Sequence, residues 1–156
     1  MLVDHLLDRG YTDVTILDIS PAALKCAGER IGSRSDGVSW IEADVTKHRL
    51  ERRYQLWHDR AAFHFLIDEA SRDRYLERLR DSVAVGGHAI FATFALGGPE
   101  RCSGLQVQRY GPESLTRALG AGFEPVTFAE ETHRTPGGVL QQFLYGHFER
   151  KTARAS

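Results

Sequence analysis

Apolar and polar residues alternate along most of the chain in a way that predicts helices and short buried strands in turn. Apolar positions from Leu2 to Leu7 recur at helical spacing, and Gly10 follows them as a C-cap glycine would. The run VTIL at 14–17 is short and β-branched, which is typical of a buried parallel strand. Ser20 and Pro21 then predict a helix start, with serine as the N-cap and proline at the first helical position.

The same alternation continues and then changes near the end of the chain. Further strand-like runs lie at 38–41, 54–57 and 88–95, and further helix-like runs at 71–83 and 112–119. Two last strand-like runs, 125–132 and 139–148, are joined by the turn TPGG, which is short enough only for an antiparallel pair. The order predicts an α/β fold: a Rossmann-like, mostly parallel sheet with helices on both faces and a C-terminal antiparallel hairpin. We expect one domain over 1–150 and a polar tail over 151–156.

Acidic residues follow several of the predicted strands. In open parallel sheets, ligands bind beyond the carboxyl ends of the strands. This rule selects Asp18, Asp44 and Asp59, together with the loop after Ala95, and we expect all four on one rim of the sheet.

Composition and charge narrow the classes of function. The chain has 156 residues, of which 42% are hydrophobic and 26% charged, and its net charge is -1, which argues against nucleic-acid binding through bulk positive charge. No apolar run approaches the roughly 20 residues of a membrane helix. Cys26 and Cys102 form no CxxC pair, and the seven histidines form no HxxxH pair. We therefore expect a cytoplasmic protein with no metal site, no membrane anchor and no nucleic-acid partner.

Four stretches carry a resemblance to a known family: TILDIS at 15–20, EADVT at 42–46, WHDRAAFHFL at 57–66 and GHAIFATF at 87–94. They resemble the class I S-adenosylmethionine-dependent methyltransferases, and within them small bacterial proteins similar to trans-aconitate methyltransferases. The resemblance extends over essentially the whole chain. It implies methyl transfer by in-line displacement from S-adenosylmethionine to an unidentified acceptor, a small molecule in the first instance and a protein side chain in the second.

The resemblance also implies roles for particular residues. Asp18 would accept hydrogen bonds from both ribose hydroxyls of the cofactor, since an ionised carboxylate is a pure acceptor. Asp44 would receive the adenine amino group. The remaining cofactor contacts would come from Ile19 against the adenine, Val45 beside it, and His58 and Asp59 under the methionine end.

Six residues are implied on the acceptor side, and no catalytic residue is assigned. They are Arg60, His64, Arg109, Tyr110, His133 and Gln142. His64 stands among aromatic residues, so packing is its alternative role. Arg109 and Tyr110 could grip an anionic substrate, and a solvated loop is the alternative. If the acceptor needs a general base, Asp59, His64 and His133 are the candidates.

One departure from the family pattern concerns the N-terminal side. Family members have a strand and a glycine-rich loop, E/D-x-G-x-G, before the helix that starts here at Leu2, and the sequence has neither. We expect an N-terminally truncated methyltransferase domain with weakened cofactor binding and with exposed strand edges that would favour dimerisation. A non-catalytic interaction domain derived from a methyltransferase is one alternative. A nicotinamide-dependent Rossmann enzyme is another, although the hairpin and the lack of a Tyr-x-x-x-Lys pair count against it.

Overall fold

The structure, a computed structural model, describes residues 2–135 and 137–152. The chain divides into two compact units, Met1–Arg49 (unit 1) and Leu50–Ser156 (unit 2). The single domain predicted over 1–150 therefore contains two units. In the described part of the chain, no helix is long and apolar enough to cross a membrane.

Unit 1 contains two helices and one pair of parallel strands. In chain order they are α1 (Leu2–Asp8), β1 (Val14–Asp18), α2 (Pro21–Ile31), a 3₁₀ turn (Gly32–Gly37) and β2 (Val38–Glu42). The predicted start of α2 is confirmed, because the Ala23 N–H donates to the hydroxyl oxygen of Ser20 over 3.2 Å. The parallel register places Asp18 opposite Glu42, so the carboxyl ends of β1 and β2 lie side by side.

Unit 2 contains the larger sheet, in the order β3-β4-β8-β7. Its elements are β3 (Tyr54–Arg60), a 3₁₀ turn (Phe63–Phe65), α3 (Glu69–Ser82), β4 (Val83–Phe94), β5 (Arg101–Cys102), β6 (Leu105–Gln106), α4 (Pro112–Leu119), β7 (Phe123–Arg134) and β8 (Leu140–Arg150). The predicted antiparallel hairpin is confirmed as β7 and β8, with Pro136 of its turn outside the described residues. In this sheet β3 and β4 are parallel, and β8 is antiparallel to both β4 and β7, so three of the four strands run in one direction. The predicted mostly parallel sheet with a C-terminal antiparallel hairpin is confirmed.

Strand alternation gives the sheet of unit 2 two faces with different surroundings. One face, here the helix-covered face, carries Asp59, Phe91 and Gly146 in one row. The α3 residue Tyr75 contacts Phe91 on this face, and the α4 residue Leu115 lies against Gly146. Both helices of unit 2 thus pack on the same face, and helices on both faces are not seen among the described residues of this unit. The second face is lined by Arg60, Ala92 and Tyr145 in one row, and by Phe94 and Phe143 in the next.

Two element boundaries differ from the predicted ones. Helix α3 begins after Asp68, whose carboxylate accepts the Ser71 N–H over 2.8 Å, so Asp68 and not Ser71 is the N-cap. Gly86 and Gly87, which separate the helix-like run 71–83 from the strand-like run 88–95, predict the end of this helix, but they lie inside β4, which already begins at Val83. Gly87 is required there, because a Cβ atom would lie 2.8 Å from the Ala84 carbonyl oxygen.

The polar tail is fastened at its first residue. The Lys151 N–H donates to the Gly122 carbonyl over 3.0 Å, and its ammonium group lies 2.7 Å from the Glu149 carboxylate. Residues 153–156 of the predicted tail lie outside the described residues.

Candidate functional site

Asp18 lies at the carboxyl end of β1 with half of its carboxylate in use. Its Oδ1 accepts the Ser20 N–H over 2.8 Å, which closes a turn before α2. Its Oδ2 has no hydrogen-bond partner among the described residues, and the side chain is half-buried. The next residue, Ile19, leaves 69% of its surface exposed. The tip of β1 therefore presents an unused acceptor beside an exposed apolar side chain.

Asp44 follows β2 and is tied into its own turn. Its Oδ1 accepts the Thr46 hydroxyl over 2.7 Å and the Thr46 N–H over 2.9 Å, while its Oδ2 lies 3.2 Å from the Lys47 ammonium. The Thr46 hydroxyl is the main reason that the pKa of Asp44 lies below its usual value. The carboxylate is ionised at neutral pH, and most of its acceptor capacity is directed at residues 46 and 47.

The two strand tips of unit 1 adjoin each other. The Ala43 N–H donates to the Asp18 carbonyl over 3.1 Å, which extends the β1–β2 ladder by one bond. Asp44 is the next residue, and the half-buried Val45 follows it. The structure thus brings Asp18, Ile19, Asp44 and Val45 together at one end of unit 1. Their role as cofactor contacts stays a prediction.

Asp59 has a different role from the one predicted. It is 5% exposed, and its carboxylate accepts the N–H groups of Ala62 and Phe63 over 3.0 and 3.2 Å. The hydroxyl of Tyr75 donates to it over 2.5 Å, and the Trp57 indole donates to that hydroxyl over 2.9 Å. Burial raises the pKa of Asp59. This carboxylate fixes the turn after β3 to α3, so it is not available as a cofactor ligand or as a general base.

His64 is buried as well, which corrects its predicted role as a substrate contact. Its side chain is fully inaccessible and lies between Phe65 and Phe94, with ring centroids 4.6 and 4.7 Å away. Its Nδ1 accepts the Phe94 N–H over 3.2 Å, and its carbonyl accepts the Gln108 N–H over 2.7 Å. Burial lowers its pKa to about 4, so the ring is neutral at pH 7. His64 therefore fastens the end of β4 and the loop before α4.

The loop residues Arg109 and Tyr110 are also engaged in structural contacts. The Arg109 guanidinium pairs with Glu100 over 3.0 Å and donates to the Gly98 carbonyl over 3.2 Å. Tyr110 is 4% exposed and stacks on Phe63 at 5.4 Å, and burial raises its pKa to about 12. The predicted role of these two residues as substrate contacts therefore needs correction. Arg109 cross-links its own loop, and Tyr110 is part of the core.

Arg60 is the sequence-predicted substrate residue with the freest side chain. It is exposed at the end of β3, and its guanidinium lies 6.0 Å from the centre of the Phe143 ring. That guanidinium makes no hydrogen bond or ion pair with any described residue. The exposed His58 lies two residues earlier on the same face of β3.

His133 and Gln142 lie on the two strands of the hairpin. The half-buried His133 ring approaches the Phe143 ring edge-on at 6.5 Å, on the second face of the sheet. The Gln142 carbonyl accepts the Ala95 N–H over 2.9 Å, and the Gln142 side-chain amide lies directly over Gly97. His133 thus borders the aromatic surface near Arg60, whereas Gln142 holds the loop that follows β4.

The fold and a stretch of sequence both match known methyltransferases. No model of a known protein family matches the chain. Over 81 residues, 52% of the chain, it is 33% identical to malonyl-[acyl-carrier protein] O-methyltransferase 1 of Ilyobacter polytropus, and the match spans 29% of that protein. The N-methyltransferase NodS of Bradyrhizobium japonicum superimposes with a TM-score of 0.71 at 18% identity, over 90% of this chain and 74% of NodS. The chain has the class I methyltransferase fold. A further structure with this fold, a Burkholderia thailandensis methyltransferase with bound 1,6-didemethyltoxoflavin and S-adenosylhomocysteine, also has a TM-score of 0.71, at 21% identity over 96% of this chain and 66% of that one.

Two side chains that the sequence did not predict as important fix the carboxylates at the strand ends of this methyltransferase fold. Thr46 and Tyr75 are buried partners of the two acidic residues Asp44 and Asp59. Thr46 has a local signal, since a threonine two residues after an aspartate commonly closes such a turn. Tyr75 is 16 residues from Asp59, and no spacing rule predicts that contact. Among residues 2–135 and 137–152, no group of three or more His, Cys, Asp or Glu side chains could hold a metal ion.

Proposed function

We propose that this methyltransferase-fold chain binds S-adenosylmethionine and takes part in transferring its methyl group to a small-molecule acceptor. The observation that carries the proposal is the unused Oδ2 of Asp18, at the tip of a parallel strand that pairs with the strand leading to Asp44. Ligands of open α/β sheets bind beyond such strand ends. The sequence match to a malonyl-[acyl-carrier protein] O-methyltransferase supports the same class of reaction.

The ribose of the cofactor fits the tip of β1. An ionised carboxylate oxygen has lone pairs for more than one donor, so Oδ2 of Asp18 can accept hydrogen bonds from vicinal hydroxyls while Oδ1 keeps the Ser20 N–H. The exposed Ile19 supplies an apolar surface beside it, as a nucleobase face requires. This residue pair therefore offers the polar and the apolar contact that a nucleoside needs.

The tip of β2 fits the adenine with one adjustment. Oδ2 of Asp44 already faces the exposed ammonium of Lys47, and a carboxylate oxygen can accept a second donor such as an exocyclic amino group. Thr46 holds the other oxygen and fixes the direction of the carboxylate. Val45 supplies a half-buried apolar neighbour. We propose that Asp44 and Val45 bind the adenine, with Lys47 moving aside.

When bound, S-adenosylmethionine supplies a methyl group that is already activated by the positive sulfonium. The protein's own contribution is then to orient the reactants and to exclude water, which can lower a barrier by about 7–11 kcal/mol. Asp59 and His64 act in this as positioning residues, because their hydrogen bonds fix the turn after β3 and the end of β4. Of the three predicted base candidates, only His133 is left with an accessible ring.

Calorimetric titration with S-adenosylhomocysteine tests the proposal through one isosteric substitution. Asp18→Asn keeps an Oδ1 acceptor for the Ser20 N–H but replaces Oδ2 with a donor, so the turn survives while ribose recognition is lost. We expect the affinity to fall by about tenfold or more, because hydrogen bonds to a charged group are among the stronger ones. The matched control is Asp36→Asn, which changes an exposed aspartate in the 3₁₀ turn of the same unit and should bind like the unmodified chain.

The outcomes separate the competing functions. Binding of NAD in place of S-adenosylhomocysteine would favour the nicotinamide-dependent enzyme, and equal affinities of the Asp18→Asn and unmodified chains would refute the proposal. Binding without methyl transfer to any of a panel of small acceptors would favour the interaction domain. The weakened cofactor binding, the dimerisation and the likeness to trans-aconitate methyltransferases remain predictions.

A further inference from the structure

The arginine at the end of β3 has a binding capacity that its surroundings leave unused. The Arg60 guanidinium is exposed, and none of its five N–H donors is paired with a described residue. The other arginine predicted near the acceptor, Arg109, is already paired with Glu100 and Gly98. Of these two cations, Arg60 is the one whose donors remain available to a ligand.

Hydrogen bonds hold the backbone around Arg60 in a defined conformation. Asp59 accepts the N–H groups of Ala62 and Phe63, and the Ala61 N–H donates to the Ala92 carbonyl over 2.9 Å. Ala61 itself adopts a left-handed conformation, with φ of 63°, which is uncommon for a residue other than glycine and is found preferentially at functional sites. The turn is therefore fixed on both sides of the arginine by buried hydrogen bonds.

A cluster of apolar residues lies beside the arginine on the second face; its centre is buried and its margin is partly exposed. Ala92, the neighbour of Arg60 in the sheet, is too small to block the guanidinium, which reaches over it to the Phe143 ring. Phe143 packs with Phe94, Val107 and Ala92, and the partly buried side chains around them are Ala61, Phe65, Cys102 and Tyr145. The acidic side chain on this part of the face, the exposed Glu131 opposite Phe143 on β7, makes no ion pair with Arg60.

We propose that Arg60 binds a carboxylate of the methyl acceptor, and that the apolar body of the acceptor packs on the partly exposed Phe65 and Tyr145. Arginine presents a planar fork of donors that matches a carboxylate, and stacking on an aromatic ring orients that fork. Because an unpaired guanidinium lies beside these aromatic side chains, we expect a carboxylic acid with an apolar body to bind more tightly than a neutral molecule of the same shape. This inference rests on the proposed function, because it assigns the acceptor of that reaction.

A carboxylate also belongs to the methionine portion of S-adenosylmethionine, so the same chemistry has a second source. The apolar surface that Phe65 and Tyr145 leave exposed favours the acceptor, since the amino-acid end of the donor is fully polar. The two sources make different predictions for the donor product: an acceptor site leaves the affinity for S-adenosylhomocysteine independent of Arg60.

The test titrates the chain with phenylacetate, phenylacetamide and acetate, and follows backbone amide shifts at Ala61 and Phe143 by NMR. The variants are Arg60→Gln, Arg60→Lys and, as a control, Arg117→Gln, which changes an exposed arginine on α4 at the opposite face. We expect phenylacetate to bind more tightly than the other two probes. Arg60→Gln should weaken it about tenfold, Arg60→Lys should weaken it less, and the control should match the unmodified chain.

Four results would overturn the inference: no shift with phenylacetate, equal affinity for the acid and the amide, no effect of Arg60→Gln, or an equal loss of S-adenosylhomocysteine affinity in Arg60→Gln. The last result would assign the arginine to the donor. If phenylacetate binds through Arg60 but S-adenosylhomocysteine does not bind the unmodified chain, the proposed function fails and the acceptor assignment fails with it. If S-adenosylhomocysteine binds and phenylacetate does not, only the inference fails.

Discussion

Asp18 in unit 1 and Asp59 in unit 2 both lie at the end of a parallel strand, yet their carboxylates are used in opposite ways. Asp18 is half-buried and keeps one oxygen without a partner, whereas Asp59 is 5% exposed and holds two backbone N–H groups and a tyrosine hydroxyl. The units around them also differ in how many buried apolar residues they contain. Of the buried apolar residues, unit 1 contributes only Ile31 and Val38 among its described residues, and unit 2 contributes the rest.

The difference teaches that an acidic residue at a strand end is informative only together with its neighbours. Where the local chain supplies a single partner, as Ser20 does for Asp18, acceptor capacity remains for a ligand. Where an aromatic core closes over the residue, as Trp57 and Tyr75 do for Asp59, the carboxylate becomes part of the framework. The two tryptophans, Trp40 and Trp57, lie in different units, so fluorescence in Trp40→Phe or Trp57→Phe backgrounds reports on one unit at a time.

The largest effect is expected from Asp59→Ala. The substitution leaves the N–H groups of Ala62 and Phe63 and the hydroxyl of Tyr75 without their acceptor in a buried place. Unfolding of unit 2, followed by urea titration with Trp57 fluorescence, should become easier by about 3–5 kcal/mol. A loss below about 1 kcal/mol would mean that Asp59 is not a framework residue, and the contrast with Asp18 would disappear.

The next largest effect is expected from Gly146→Ala in the core of unit 2. A Cβ at this position would lie 2.8 Å from Phe148, 2.9 Å from Leu115 and 3.2 Å from Phe128, all within the packed helix-covered face. Overfilling a packed core typically costs about 1–3 kcal/mol. The same urea titration measures it, and an unchanged midpoint would show that this face is less tightly packed than its distances indicate.

The pH dependence of unit 2 should carry the signature of Asp59. Burial raises the pKa of this carboxyl above its value in the unfolded chain, so the folded state binds the proton more tightly. Stability should therefore fall as the pH rises from the ordinary carboxyl range, near 4, through the raised pKa. Asp59→Asn removes the titrating group, and its stability curve should lack this slope; an identical slope would assign it to other residues.

Thr46→Val in unit 1 should have a smaller effect on stability, and one that appears at high pH and disappears at low pH. The valine keeps the shape of the buried threonine but removes the hydroxyl that lowers the pKa of Asp44. Stability near pH 7, measured through Trp40, should decrease by about 1 kcal/mol. Because a lowered carboxyl pKa stabilises the fold only above about pH 4, the difference should vanish as the pH falls through the folded-state pKa. A difference that persisted at pH 2 would contradict this origin.

The smallest effect, and a gain, is expected from Gly28→Ala in unit 1. Gly28 lies inside α2, and the nearest atom to an added Cβ is Trp40 Cζ2 at 3.9 Å, an ordinary contact. Alanine is the better helix former by about 0.5–1 kcal/mol, so unit 1 should become more stable. The same glycine-to-alanine change would then have opposite signs in the two units, and a loss at position 28 would break that pattern.

Helices and strands were predicted correctly where the residues that start or end them lie next to each other in the sequence. Ser20 and Pro21 marked the start of α2 because capping acts within one turn of the chain, and the TPGG turn predicted the β7–β8 hairpin. The start of β4 was misplaced because Gly86 and Gly87 have the composition of a helix stop. Gly87 is instead needed because a Cβ atom would meet the carbonyl oxygens of Gln55 on β3 and of Ala84 on β4 itself.

The candidate site was predictable in part for the same reason. The placement of Asp18 and Asp44 follows from strand order alone, since parallel strands bring their carboxyl ends together. The states of Asp59, His64 and Tyr110 depend on which aromatic rings cover them, and those rings come from α3, β4 and the loop before α4. Arg60 is preferred over Arg109 as a ligand contact because Arg109 is paired with Glu100, whereas Arg60 lies near the Phe143 ring. These partners are separated in sequence from the arginines, and no residue spacing predicts them.

The attachment of Gln142 to the segment after β4 has a consequence for how this chain can vary. The Ala95 N–H and the Gly97–Gly98 backbone lie against residue 142, below the end of the hairpin. Insertions between Thr135 and Val139 would lengthen the tip without displacing that anchor, and Gly98 would tolerate no side chain, because a Cβ there would meet the Gln142 and Ala95 carbonyl oxygens. Relatives with longer hairpins can therefore be expected to keep this attachment unchanged while presenting new residues beyond it.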